Sequence, residues 1–148
     1  MPPARGLTQE QVAVTLRQSG RRVTAPRLLV YRLLQESGGH VTAEGILKRA
    51  LEQGERITLP SVYASLNTLV ELELARVAHV RPAGAVTYDA RPEPHHHVVC
   101  RDCGRIEDVE CHAADAPCLD PPAGHDFAID RAEVTFMGVC ASCRATSH

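Results

Sequence analysis

Tryptophan is absent from the 148 residues, and only two phenylalanines and three tyrosines are present. Any core must therefore be aliphatic. No apolar run reaches the about 18 residues that a membrane helix needs. The start, Met1-Pro2-Pro3-Ala4-Arg5, lacks the apolar stretch of a signal peptide. These absences exclude a membrane-spanning class and point to a cytoplasmic protein. No cysteine precedes residue 100, so thiol chemistry is confined to the last third. In a reducing setting paired cysteines favour metal over disulfide. No repeat or low-complexity segment is visible, and no separate nucleophile or general-base motif stands out, which argues against an enzyme.

Charge divides the chain. Residues 1–85 carry eleven Lys/Arg against seven Asp/Glu, whereas residues 86–148 carry five against eleven. A basic half can approach a phosphate backbone and an acidic half with thiols can gather cations. Few residues are available to each half for a core, so a structural metal and dimerisation are expected aids.

Threonines punctuate the basic half. Thr8, Thr24 and Thr42 each precede apolar residues at helical spacing, and Gly20, Gly38-Gly39 and Gly54 stop the helices they open. Pro26 sits where a first helical turn accepts it. The segment from Thr58 places Val62, Leu66 and Leu69 on one face. Two β-prone stretches, 75–80 and 85–88, flank Arg81-Pro82-Ala83-Gly84, a hairpin signal. Helices followed by a hairpin describe a winged helix-turn-helix, whose second helix of the pair would enter the major groove of DNA. Ser61, Tyr63, Ala64, Ser65 and Asn67 surround that helix. Arg17, Arg21, Arg22, Arg27, Lys48 and Arg49 could supply phosphate contacts. His79, in the wing, would face solvent or phosphate. After Asp89 the composition changes: strands are expected at 95–100, 106–109 and 129–138, with a proline-interrupted stretch at 111–124 between the last two.

Two Cys-x-x-Cys pairs, Cys100/Cys103 and Cys140/Cys143, are the strongest chemical signal. Each forms a knuckle presenting two sulfurs, and two knuckles close a tetrahedral shell with no open position, the pattern of structural zinc. Just before the first pair, His95-His96-His97 on a strand would put His95 and His97 on one face and His96 on the other. The residues alone leave this triplet open between a solvated loop and a ligand pair. A site would need further donors, with Asp89, Asp108 and His40 as candidates, and mixed nitrogen and oxygen donors suit iron(II), manganese(II) or zinc. His96 with His112, Asp115 and His125 is a weaker third constellation. Cys111 and Cys118 have no matched partner and read as inert thiols before redox-active ones.

The chain resembles the ferric uptake regulator (Fur) family of bacterial metal-dependent repressors. The resemblance runs from about Thr8 to Cys143. It rests on Arg22-x-Thr24-x-x-Arg27, on Gly39-His40-x-Thr42-Ala43-Glu44, and on Ser61-Val62-Tyr63-x-x-Leu66-Asn67-x-Leu69. It continues through His95-x-His97-x-x-Cys100-x-x-Cys103-Gly104 and Gly138-x-Cys140-x-x-Cys143. The resemblance implies an α+β fold, with a winged-helix DNA-binding domain over residues 1–87 and an α/β dimerisation domain over 88–148. It implies a homodimer on palindromic operator DNA, no membrane partner, and structural zinc on Cys100, Cys103, Cys140 and Cys143. A regulatory Fe(II) or Mn(II) falls on His40, Asp89, His95, His97 and Asp108, and DNA contact on Arg22, Arg27, Ser61, Tyr63, Ser65 and Asn67.

Aspartate at 108, where iron-uptake regulators commonly have glutamate, is similar to the peroxide-sensing (PerR-type) branch. In that branch bound iron reacts with hydrogen peroxide and oxidises a ligand histidine, here His40 or His95. The alternative is an iron-, manganese- or zinc-responsive uptake regulator without that chemistry. Other classes weighed are a metalloenzyme and a thiol-redox switch. Three departures stand out. Ala64 replaces the arginine usual after the tyrosine, and the family's helix between the Cys pairs is here proline-rich. Pro94 and Ala132 stand where relatives often have ligands of a second regulatory site.

Overall fold

The computed structural model describes residues 6–80, 85–91, 95–109, 126–128 and 134–146. The expectations for residues 111–124 and for His125, hence for Cys111, His112, Asp115 and Cys118, lie outside the described residues. The chain divides into two compact units, Met1–Pro92 and Glu93–His148.

In the first unit four helices begin in the same way. α1 (Gln9–Gln18), α2 (Ala25–Glu36), α3 (Ala43–Glu52) and α4 (Leu59–Glu71) are each capped by a threonine in extended conformation. The side chains of Thr8, Thr24, Thr42 and Thr58 accept from backbone N–H groups that a helix start otherwise leaves without partners. At Thr8 the bond is reciprocal: Gln11 Oε1 accepts from the Thr8 N–H at 2.8 Å, completing a capping box.

The helices pack around Leu16, Leu33, Leu34, Ile46, Leu66 and Leu69, all fully buried. Tyr31 is the aromatic exception, and its hydroxyl accepts from the Leu7 N–H at 3.0 Å. Burial pushes its phenol above the ordinary tyrosine pKa.

Strands β1 (Arg76–Val80) and β2 (Val86–Asp89) pair antiparallel as the expected wing, with an irregularity between Val77 and His79. Because β2 pairs with β1, it belongs to the first unit. The expected boundary at 87/88 falls inside this strand, and the division into units comes after Pro92.

The second unit holds a three-stranded sheet in the order β4-β3-β5, from β3 (His96–Cys100), β4 (Ile106–Val109) and β5 (Thr135–Gly138). β3 is central, antiparallel to β4 and parallel to β5. A six-residue helix, α5 (Ala141–Thr146), follows. Among the described residues no helix is long and apolar enough to cross a membrane.

The first unit depends on its aliphatic layer more than on any polar pair. Leu66→Ala is expected to cost about 2–5 kcal/mol, read as a lower urea midpoint for loss of helical circular dichroism. Exposed Leu51→Ala should change it by less than about 0.5 kcal/mol.

Candidate metal centre and nucleic-acid interface

The Cys100–Cys103 knuckle is built by strand ends. Cys100, the last residue of β3, accepts at its carbonyl from the Gly104 N–H at 2.8 Å, and its own N–H donates to the Arg105 carbonyl at 2.8 Å. Gly104 has φ of 73°, a left-handed turn that glycine makes without strain. The second knuckle is tied to the first by the Arg101 N–H donating to the Gly138 carbonyl at 2.9 Å and the Cys140 N–H donating to Cys100 Sγ at 3.3 Å.

The four Sγ atoms lie within 4.8 Å of one another. Cys103 Sγ and Cys140 Sγ are 3.8 Å apart, far beyond a disulfide bond of about 2.05 Å. A tetrahedral shell with Zn–S near 2.3 Å separates its sulfurs by about 3.8 Å, so the cluster fits zinc. Backbone N–H groups of Cys103 and Cys140 hold the Cys100 thiol down to about 6. Hydrogen bonding to the sulfurs of Cys140 and Cys103 pushes Cys143 up to about 12. Without a cation, ionisation of one sulfur opposes ionisation of the next, and a divalent ion removes that conflict.

The nitrogen and oxygen donors fall into two groups, one in each unit. In the second unit His95 and His97 are both about 4% exposed. Their Nε2 atoms lie 3.5 and 3.8 Å from Asp108 Oδ1, which the β3–β4 register places opposite His97. These separations are too long for good hydrogen bonds. An octahedral cation with donors at about 2.1 Å sets neighbouring donors about 3 Å apart, so a small contraction would seat one ion.

In the first unit His40 and Asp89 flank the isolated bridge between Val41 and Tyr88, where Tyr88 N–H donates to the Val41 carbonyl at 2.8 Å. The turn before it uses Gly38 (φ 71°) and Gly39 (φ 110°), conformations that a side chain rarely adopts. Asp89 is only 4% exposed, and Oδ1 accepts from the Arg91 N–H at 2.9 Å. A buried carboxylate needs a compensating cation or several donors.

His96 faces away from this group. It is buried, its Nδ1 accepts from the Val134 N–H at 3.2 Å, and its ring stands edge-on to Phe136. Alternation along β3 thus separates it from His95 and His97, as its strand position implies.

On α4 Tyr63, Ala64 and Asn67 are exposed along with Pro60 and Glu71 at its ends, and Arg22 is exposed in the loop before α2. Ser65 is a correction. At 3% exposure it lies on the core side with Val62, Leu66 and Leu69, off the exposed face of the helix. The helical period that buries Val62 also buries the residue three positions on. Two more assignments are narrowed. Ser61 accepts at Oγ from the Thr58 hydroxyl at 3.1 Å, so it serves the helix start. Arg27 donates Nη1–H to the Arg22 carbonyl at 2.5 Å, which closes the α1–α2 loop.

Sequence reasoning missed Glu44 on α3. Its Oε1 accepts from the Tyr63 hydroxyl at 3.0 Å, and that bond raises the Tyr63 phenol above its ordinary range. The spacing of 19 residues carried no sequence signal for this contact.

The family model described as the ferric uptake regulator family matches residues 18–137. Ferric uptake regulation protein 2 of Mycolicibacterium fortuitum is 39% identical over 132 residues, covering 86% of this chain and 89% of that protein. Transcriptional regulator FurA of Mycobacterium tuberculosis is 35% identical over 133 residues, covering 88% of each. The crystal structure of the Vibrio cholerae ferric uptake regulator, described by its rearranged DNA-binding domains, superposes with a TM-score of 0.71. It is 25% identical and covers 87% of this chain and 99% of that one. With a family model spanning most of its length, the chain belongs to the ferric uptake regulator family of metal-responsive transcriptional regulators, and it is not an enzyme.

Proposed function

We propose that the protein is a metal-dependent repressor that binds operator DNA as a homodimer and senses peroxide through oxidation of a ligand histidine. The observation that carries the sensing reading is Asp108, whose Oδ1 stands within 3.5 and 3.8 Å of the buried His95 and His97 imidazoles. Two imidazoles and a short carboxylate give a compact set of nitrogen and oxygen donors suited to iron(II) or manganese(II). His40 and Asp89 supply the remaining donors of the proposed regulatory site. Iron(II), when bound, supplies the electron that splits the O–O bond of hydrogen peroxide next to an oxidisable imidazole, and manganese(II) does not.

The chain's own residues do the rest. His40 and Asp89 belong to the unit that carries α4, and His95, His97 and Asp108 to the unit that carries the four cysteines. A cation shared by both groups would favour one relation of the two units, and oxidation of His40 or His95 would release it. On this reading Cys100, Cys103, Cys140 and Cys143 hold structural zinc, a closed shell with no place for substrate. Homodimerisation is supported by β5, an edge strand among the described residues, with Phe136 and Met137 exposed at 41% and 55%. DNA contact is supported by the exposed face of α4, with Tyr63 and Asn67, and by Arg22.

Four outcomes are expected. A duplex enriched from a random-sequence pool by the manganese-loaded protein should bind under anaerobic conditions with either iron(II) or manganese(II). Peroxide should abolish binding only in the iron form, with one added oxygen on His40 or His95 by peptide mass spectrometry. Iron-form protein that resists peroxide and carries no added oxygen would leave a regulator without peroxide sensing. Asp108→Ala should weaken manganese binding at least tenfold, measured by titration calorimetry, with zinc content unchanged. Cys140→Ser should lose the zinc, measured by elemental analysis, and unfold the second unit. Its first-unit helices should keep a cooperative melt.

A further inference from the structure

One bond crosses between the helices of the helix-turn-helix pair on their exposed side. Tyr63 on α4 donates its phenolic hydrogen to Glu44 Oε1 on α3 at 3.0 Å. Both residues are exposed, Tyr63 at 39%. A bond between such exposed groups contributes little to stability, but its chemical consequence is large. A phenol has one hydrogen to donate, and its oxygen can also accept. With the hydrogen committed to a carboxylate, the oxygen can only accept from whatever lies outside.

That restriction sorts the groups on duplex DNA. Phosphate oxygens, guanine O6 and N7, adenine N7 and thymine O4 are all acceptors. In the major groove only the amino groups of adenine N6 and cytosine N4 donate. The Glu44 carboxylate, beside the phenol, further disfavours a phosphate there. We propose that Glu44 is a positioning residue that makes Tyr63 an acceptor-only reader of adenine or cytosine amino groups and keeps it off the phosphate backbone. This rests on α4 as the DNA-contacting helix, as proposed above. Ala64, the next exposed residue, offers only a methyl group, so hydrogen-bond readout at this point of the helix rests on Tyr63.

The test uses the full zinc-containing chain saturated with manganese(II). Binding is measured by fluorescence anisotropy to the duplex enriched from the random pool and to a scrambled duplex of the same composition. The ratio of the two affinities is the readout. Tyr63→Phe and Glu44→Ala should each lower the ratio about fivefold to tenfold, the worth of one hydrogen bond to a base. The double variant should lower it no further, since the two residues act as one unit. Glu44→Ala should do so while binding the scrambled duplex as well as or more tightly than the parent, because the freed hydroxyl can donate to phosphate. Glu44→Gln keeps an acceptor for the phenol and should stay within about twofold of the parent ratio. It also guards against a folding defect in Glu44→Ala, which a thermal melt would show. If Tyr63→Phe lowers the ratio and Glu44→Ala does not, the role of Glu44 is overturned and α4 remains the reading helix. If Tyr63→Phe leaves the ratio unchanged, Tyr63 is not a base contact and both readings fall.

Discussion

The register of β3 is the constraint on which the chemistry of the second unit depends. A one-residue slip in a strand sends every side chain to the opposite face. Here it would exchange His97 for His96 opposite Asp108 and draw Cys100 out of its cluster. The register is held from both sides, by β4 and β5, and at its end by the turn in which Gly104 N–H donates to the Cys100 carbonyl. The backbone N–H of Cys140 donating to Cys100 Sγ adds a tie from the second knuckle. The same strand thus aligns Cys100 with its sulfur cluster and His97 with Asp108.

Much of this was legible in the sequence because it is local. Threonine caps, glycine stops and the wing hairpin are short-range effects, and the three expected caps, Thr8, Thr24 and Thr42, form, with Thr58 as a fourth. The Cys-x-x-Cys spacing is equally local, and the four sulfurs do converge. Ser65 was misread for a physical reason. Hydroxyl chemistry suggested a phosphate contact, but the helical period already visible in Val62, Leu66 and Leu69 places position 65 on the buried side. Long-range features were not legible. The parallel pairing of β3 with β5 joins residues nearly forty positions apart, and no pattern announces such a partner. α5 is six residues long and lacks the caps and periodicity by which a helix declares itself. The Glu44–Tyr63 bond depends on how α3 and α4 pack, which no spacing rule encodes.

The first unit shows how a chain poor in aromatics builds a firm reading surface. Its core is aliphatic, and Tyr31, the one fully buried aromatic, is anchored by a hydrogen bond to the segment before α1. Tyr88 joins the same core at 7% exposure, and Tyr63 stays at the surface. Charges near α4 are partly spent on internal contacts: Arg21 pairs with Glu71 at 2.8 Å and Arg27 closes its own loop. Such exposed pairs add little stability, but they fix where cations stand.

Electrostatics then ties metal to order in the acidic half. Residues 86–148 carry eleven carboxylates against five basic side chains. In the second unit, full ionisation of the four clustered cysteines would add further negative charge in a space under 5 Å across. Like charges that close oppose one another strongly in a partly buried setting. One divalent cation on the sulfurs would offset most of that repulsion. Metal loading is on this reading part of folding for the second unit, and a change in the regulatory ion alone need only perturb donors whose positions the zinc-bound strand has already set.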